Sequence, residues 1–490
     1  MERSTTANVA SWLRERAALH PERLAIGLPG GAKALRYGEL EALTDRVAHG
    51  LREAGIGSGD RLAVALGSEP LYLGLFFAAA GLGAILLPLN TRLAVPELAF
   101  QLDDAEPALL IADTGRELPE RRGTRSWSRE DLLAALPDRA EALPLAPGGE
   151  APQVILYTSG TTGRPKGAVL PHRKTVSNTE NAERYFGLSE SDVVVVPVPL
   201  FHSYGLLILS VPALFAGARI VLVPRFDPRE LQACVAREHA TVLGAVPVMY
   251  RRMLDAGLDA GALGSLRVAW SAGAALDVDT IRAYHRAGVR LRQGYGQTET
   301  SILCCLDAAH SLSKAGSVGR PVGHCQLRIA DTEGRSLPRG AEGEVQVRGG
   351  VVMLGYWRRP AETESARCDG WHRTGDLGVQ DEEGFVTLVG RLGEMYISGG
   401  ENVYPAEVER VLEQHPEVAE AAVVGVPDPE WGQVGHAWVV PRGAALDCDA
   451  LLEWTRDRLA GYKRPRRISL APALPRTPSG KVQKHLLERG

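Results

Sequence analysis

The segment Tyr157-Thr158-Ser159-Gly160-Thr161-Thr162-Gly163-Arg164-Pro165-Lys166-Gly167 follows directly on the apolar run Val154-Ile155-Leu156. A strand that runs into Gly, Ser and Thr offers backbone N–H groups and hydroxyls able to close around phosphate oxygens, and Lys166 adds a positive charge. The chemistry this suggests is polyphosphate binding; the plainer alternative is a surface turn, since the same residue types are common there. The spacing is not that of a Walker loop, because Lys166 is followed by Gly167 instead of a metal-binding hydroxyl. No G-x-G-x-x-G follows a strand, so a dinucleotide site is unsupported.

This loop resembles the phosphate loop of the adenylate-forming superfamily: acyl-CoA and aryl-CoA ligases, firefly luciferase and the adenylation domains of peptide synthetases. The resemblance recurs, in order, over nearly the whole chain. Pro199-Leu200-Phe201-His202 is similar to the acyl-pocket motif, Ser271-Ala272-Gly273-Ala274-Ala275 to a nucleotide-contacting turn, and Gly294-Tyr295-Gly296-Gln297-Thr298-Glu299 to the adenine and magnesium motif. Thr374-Gly375-Asp376, Gly390-Arg391 and Pro475-Arg476-Thr477-Pro478-Ser479-Gly480-Lys481 complete the set.

The resemblance implies ATP or AMP contacts from Thr158, Ser159, Gly160, Thr161, Thr162, Gly163, Lys166, Gly273, Ala274, Ala275, Gly294, Tyr295, Gly296, Thr298, Asp376, Arg391 and Lys481. Their chemistry fits: Tyr295 offers a ring face for adenine, Thr298 a hydroxyl for the α-phosphate, and Glu299 a hard oxygen for Mg²⁺. Asp376 can accept hydrogen bonds from both ribose hydroxyls, and the Arg391 guanidinium suits a phosphate or ribose oxygen. Taken alone, Glu299 reads as a solvated acid and Lys481 as one more base in a cationic tail. With the motifs around them, the implied catalytic set is Lys481, Glu299, His202 and Thr298, with Lys481 bridging the acid's carboxylate and the α-phosphate during adenylation.

Peptide-synthetase domains recognise an α-amino group with an aspartate in the acyl-pocket motif; Phe201-His202-Ser203-Tyr204 contains no acid, so a non-amino carboxylic acid is expected. Candidate walls of its pocket are His202, Ser203, Tyr204, Val246, Gly273, Gly294 and Ile302, consistent with an aromatic or aliphatic acid. Ser398-Gly399-Gly400-Glu401 resembles the Gly-rich stretch that lets pantetheine approach in CoA ligases, and Trp431, Tyr462, Arg464 and Arg466 resemble residues that hold the CoA adenine and phosphates. For Lys463-Arg464-Pro465-Arg466-Arg467 a solvated basic turn or a membrane-surface patch stays open. The expected co-substrates are ATP with Mg²⁺ and coenzyme A. A carrier-protein thiol in place of CoA, and a non-catalytic nucleotide-binding scaffold, are the rival readings.

The elements that must hold these residues are legible in outline. At 490 residues the chain exceeds a single core's usual size, and its 45% apolar and 23% charged content is that of an ordinary folded protein. A formal net charge of −4 gives no general reason to bind nucleic acid. Six cysteines without a C-x-x-C pair read as reduced thiols, and no secretory signal is visible at the start, so a cytoplasmic location is expected. Residues 71–87 form an uncharged run, but Gly81 and Gly83 interrupt it and prolines bound it, which predicts a buried helix and a core strand in place of a membrane span.

Apolar runs at 61–65, 84–87, 193–198, 219–223, 241–246 and 266–270 alternate with helical patterns, predicting α/β layers with largely parallel sheets. Residues 137–153, with four prolines, read as a surface connection. From 318 to 389 short alternating runs predict a small β-barrel-like part. Beyond it the pattern puts a domain boundary at 391–394 and a small α+β domain at 395–490; the resemblance implies that 1–390 is the adenylation domain, that the small domain is mobile, and that the boundary is its hinge, with Gly393 as the pivot or, if that is a mere turn glycine, Glu394. The small domain's predicted elements are a helix at 405–415 and strands at 420–424 and 437–440.

Overall fold

Val193–Val196 shows why these sequences become strands with both faces covered. Val194 and Val196 enter one hydrophobic cluster and Val195 another on the opposite side. Leu62 and Val64 of the strand Arg61–Ala65 join that first cluster, whereas Ala63 and Ala65 enter a third. The period of two, with apolar residues on both faces, is the signature of buried parallel sheet. The computed structural model describes residues 7–119, 123–158, 165–398, 401–443, 446–456, 458–476 and 481–487, leaving aside the side chains of Glu401 and Asn402.

The chain divides into two compact units, 1–327 with 347–372, and 328–346 with 373–490. The first unit carries two sheets. One has nine strands and a parallel centre, running Leu291–Gln297, Val268–Ser271, Val242–Ala245, Val193–Val196, Arg219–Leu222 and Leu24–Gly27, with Ser301–Cys305 antiparallel beside Leu291–Gln297. The other has seven strands and includes Pro152–Thr158, which pairs in parallel with Ile85–Pro88 and antiparallel with Lys166–Pro171. The cluster that takes side chains from both sheets is the central core, and helices cover it and the outer faces. The run at 71–87 is the helix Pro70–Leu82, closed by Gly83 at φ 73°, followed by Ile85–Pro88. Among the described residues no helix is long and apolar enough to cross a membrane.

The expected strands at 241–246 and 266–270 are realised as Val242–Ala245 and Val268–Ser271. The mixed α/β architecture expected from the alternating pattern is therefore present. The helix His172–Phe186 is unusual: His172, Lys174, Thr175, Ser177, Asn178, Thr179 and Asn181 are all buried. Burying so polar a helix is unfavourable unless its groups find partners, and several do. Asn178 donates to the Leu207 carbonyl at 2.7 Å and accepts from the Ile302 N–H at 3.3 Å, and Thr175 donates to Gln153 Oε1 at 2.7 Å.

The second unit contains most of the strands Glu342–Arg348 and Trp371–Gln380, the strand Val386–Arg391 and, further on, Tyr396–Ser398, Glu401–Val403, Gly432–Pro441, Val418–Asp428 and Arg467–Leu470. The predicted helix at 405–415 is Pro405–Glu413, two residues shorter, and the paired strands Val418–Asp428 and Gly432–Pro441 contain the predicted strands at 420–424 and 437–440. Apolar residues such as Val408, Leu412, Val423 and Val439 form that unit's own core.

Candidate active site

The phosphate-loop candidate lies between two paired antiparallel strands. Thr158 pairs with Lys166 as the last rung between Pro152–Thr158 and Lys166–Pro171, so the loop leaves from a fixed base. Ser159, Gly160, Thr161, Thr162 and Gly163 lie outside the described residues. At that base Thr158 Oγ1 donates to Glu299 Oε1 at 3.2 Å, and Tyr356 Oη donates to the same oxygen at 3.1 Å. The Lys166 ammonium stands 5.3 Å from the centre of the Tyr356 ring. A carboxylate held by two hydroxyls beside a phosphate-loop hairpin is a hard oxygen ligand already oriented. One such ligand suits Mg²⁺, which takes its remaining ligands from substrate phosphates and water.

Glu299 is positioned by a tight reversal between Leu291–Gln297 and Ser301–Cys305. Thr300 N donates to the Gln297 carbonyl at 3.2 Å, and Ser301 adopts a left-handed φ of 56°. A Cβ on Gly296 would lie 1.9 Å from the Ser301 carbonyl oxygen, so only glycine fits there. Lys174 reaches the turn from the buried helix, its ammonium donating to Ser301 Oγ at 2.5 Å. Burial pushes the Lys174 pKa down to about 7, with Glu299 opposing and Arg173 reinforcing the shift. Tyr295 is buried, and Gly273, at φ 94°, lies with Ala274 and Ala275 on an exposed turn after Val268–Ser271.

Val246 and Gly273, two of the acid-pocket candidates, follow the carboxyl ends of the parallel strands Val242–Ala245 and Val268–Ser271, where open α/β sheets place ligands. Tyr204 Oη donates to the Trp270 carbonyl at 2.9 Å, Val246 Cγ1 is 3.8 Å from where a Cβ of Gly273 would stand, and Gly294 lies under the Trp270 ring. Ile302 is tied through its N–H to Asn178. His202 and Ser203 precede a π-helical stretch, Tyr204–Ser210, a form that recurs at functional sites. Gly205 permits it, because a Cβ there would stand 2.4 Å from the Pro199 carbonyl oxygen.

In the second unit, antiparallel pairing sets Asp376 directly opposite Arg391, whose Nε donates to Asp376 Oδ1 at 2.5 Å. The two ribose and phosphate candidates are thus one charged pair. Arg391 also begins the turn at 391–394, in which the Glu394 N–H donates to the Arg391 carbonyl at 3.1 Å and Gly393 is exposed. Lys484 donates to Glu394 and to Glu409, each at 2.7 Å, so its segment is fastened to both the turn and the helix Pro405–Glu413. Burial opposes the Lys484 charge, but the two carboxylates prevail and hold its pKa above the usual lysine value.

Lys481, three residues earlier, is exposed. Among the CoA candidates, the Arg466 guanidinium sits 5.1 Å from the Trp431 ring centre, and Ser398 pairs with Gly432. Arg464 is half-buried. Gly399, Gly400 and the Glu401 side chain lie outside the described set, whereas Lys463, beside Tyr462, is engaged with Glu407 at 2.8 Å. Tyr356 and Lys174 were not expected as members of the site. Neither lies in a motif, and Tyr356 is 57 residues from the carboxylate it holds.

The profile of the family described as AMP-binding enzyme matches residues 13–357, and that of its C-terminal domain matches residues 407–481. A feruloyl-CoA synthase of Amycolatopsis sp is 40% identical over 489 residues, covering 98% of this chain and 98% of its own. Among solved structures, ATP-bound MatB from Rhodopseudomonas palustris superposes with a TM-score of 0.91 at 34% identity, covering 99% of this chain and 98% of its own. An o-succinylbenzoate coenzyme A synthetase from Bacillus subtilis, in complex with ATP and magnesium ion, gives 0.87 at 31% identity, covering 97% and 98%.

Proposed function

The chain belongs to the AMP-binding enzyme family, as an acid–thiol ligase of its CoA-ligase branch that uses ATP, Mg²⁺ and coenzyme A, and from that premise we propose that it activates a non-amino carboxylic acid, aromatic or aliphatic, as its acyl-adenylate and passes the acyl group to the CoA thiol. The observation that carries the reading is the Glu299 carboxylate, held by Thr158 and Tyr356 at the base of the phosphate-loop hairpin. The feruloyl-CoA synthase and the o-succinylbenzoate coenzyme A synthetase both name coenzyme A as the acceptor, which favours CoA over a carrier-protein thiol.

In the first half-reaction the acid's carboxylate attacks the α-phosphorus of ATP and pyrophosphate leaves. Thr158 and Lys166 act on the leaving phosphates, Thr298 on the α-phosphate, and Lys481 neutralises charge as the bond forms. Mg²⁺, when bound through Glu299, supplies Lewis-acid neutralisation of the phosphate oxygens. The Asp376–Arg391 pair serves the ribose and phosphate, and His202 stands with Ser203 and Tyr204 at the acid. In the second half-reaction the CoA thiolate attacks the acyl carbon and AMP leaves, a division of one difficult displacement into two easier ones. The reading is tested by ATP–pyrophosphate exchange over a panel of carboxylic acids, with thioester then detected by mass after CoA is added.

Residues 391–394 serve as the hinge between the half-reactions, with Gly393 as the pivot: Glu394 is fastened by Lys484, and the exposed glycine before it has the φ/ψ range to absorb a backbone change. Gly393→Pro fixes φ near −65°. Its expected result in single-turnover assays is adenylation within about tenfold of wild type and thioester formation reduced about thirtyfold or more, a difference of only ~1.4 kcal/mol per decade. Parallel losses would place the pivot elsewhere. For the CoA contacts, Arg464→Ala with Arg466→Ala is expected to raise the KM for CoA about tenfold and leave pyrophosphate exchange unchanged, because only contacts remote from the chemistry are removed.

A further inference from the structure

The strands Val268–Ser271 and Leu291–Gln297 place Trp270 and Arg292 side by side in parallel register, on the face that points into the central core. Both are buried, Trp270 to 2% and Arg292 to 9% of full exposure. Among the described residues neither Trp270 Nε1 nor Arg292 Nε has a hydrogen-bond partner. Buried donors are normally satisfied. These two instead border a cavity of about 160 Å³, also lined by Arg184, Tyr185, Phe186, Cys305 and Asp307, so that two guanidiniums and one carboxylate border it. It is much larger than the ~10–15 Å³ that one water requires.

The indole also touches the acid pocket. A Cβ on Gly294 would stand 2.2 Å from Trp270 Cζ2 and 2.6 Å from Nε1, so the N–H side of the indole lies against this acid-pocket candidate. The Tyr204 ring meets the indole edge-on at 5.3 Å between centroids, and the Phe186 ring stands at 4.9 Å. Trp270 therefore stands between two of the acid-pocket candidates, Tyr204 and Gly294, and the cavity bordered by Arg292.

We propose that Trp270 and Arg292 form a distal subsite that selects acids bearing a hydrogen-bond-accepting oxygen at the end remote from the reacting carboxylate, with an anionic oxygen preferred. The proposal rests on the acid-ligase reading above, and it names the substrate class of that site. The Trp270 N–H donates to that oxygen, and the Arg292 charge favours a negative one beyond it. An apolar end leaves both donors unmet, and sites built to bond a polar group discriminate strongly against analogues that lack it.

The test is ATP–pyrophosphate exchange with isosteric pairs: 6-methoxyhexanoic against octanoic acid, and 3-phenylpropanoic acids carrying para-methoxy against para-ethyl. Wild type is expected to favour the oxygen-bearing member about tenfold or more in kcat/KM. In Trp270→Phe, which keeps an aromatic ring and removes the N–H, that ratio falls toward one. The para-carboxylate and para-nitro pair, alike in shape and unlike in charge, reports on Arg292: its preference for the carboxylate disappears in Arg292→Met. Equal kcat/KM within each methoxy and ethyl pair, or a ratio that survives Trp270→Phe, overturns the subsite while leaving the ligase reading intact. Absence of exchange with every acid of the wider panel overturns both.

Discussion

Lys481→Ala is expected to cut acid-dependent ATP–pyrophosphate exchange about a thousandfold, in line with the loss of a single preorganised charged stabiliser. The lysine is exposed, so its removal leaves the fold intact. Its segment is nevertheless not a loose tail. Lys484, three residues on, is bonded to both Glu394 and Glu409, and the Gln483 N–H donates to the Pro475 carbonyl at 2.8 Å. The proposed role is confined to the adenylation transition state. Thioester formation from supplied acyl-adenylate and CoA should accordingly stay within a few-fold of wild type. Rapid-quench measurement of the two half-reactions checks this, and equal losses in both would remove Lys481 from the assigned role.

Glu299→Gln is the second large effect. The substitution keeps shape and keeps an oxygen that can accept from Thr158 and Tyr356, so thermal stability should move by less than ~1 kcal/mol. What it removes is the negative charge that draws Mg²⁺ to the phosphates. The expected cost is about a hundred- to a thousandfold in exchange, with the Mg²⁺ concentration for half-maximal activity raised. Tyr356→Phe removes one hydrogen bond to the same carboxylate and should cost less than about tenfold. If Glu299→Gln retained exchange at ordinary Mg²⁺, the metal would have to be held elsewhere.

Much of this site was legible because its chemistry is carried by contiguous residues. The hairpin base at Thr158 and Lys166, the Gly296–Glu299 turn and the Asp376 and Arg391 positions all lie in short motifs whose Gly, Thr and acid content has a local physical reason. The α/β layers were legible for a similar reason: runs such as Val193–Val196 are apolar on both faces, which only a covered sheet accommodates. What stayed hidden depends on contacts between distant segments. Tyr356 gives no local sign that it will donate to Glu299. Lys174 sits in a polar sequence that gives no local sign of burial, yet the fold buries it against Ser301. The pairing of Asp376 with Arg391 needed the register of two strands, and the orphaned donors of Trp270 and Arg292 needed side-chain positions.

The π-helical stretch Tyr204–Ser210 has no periodicity that would separate it from an α-helix in an apolar run. Its only local trace is Gly205, which the close approach of the Pro199 carbonyl makes obligatory. Such sites, where local pattern and final structure part company, fall here beside the proposed acid pocket, as expected where function constrains the backbone.

The central claim is that this chain joins a carboxylic acid to coenzyme A through an adenylate. The most direct measurement combines purified protein, MgATP, CoA and a panel of aromatic and aliphatic acids, following AMP, pyrophosphate and acyl-CoA together by mass. The account predicts acyl-CoA, AMP and pyrophosphate in equal amounts for at least one non-amino acid, with acid-dependent pyrophosphate exchange when CoA is omitted. Exchange without any acyl-CoA would contradict the assignment of CoA as the acceptor, and ADP in place of AMP would contradict the adenylate itself.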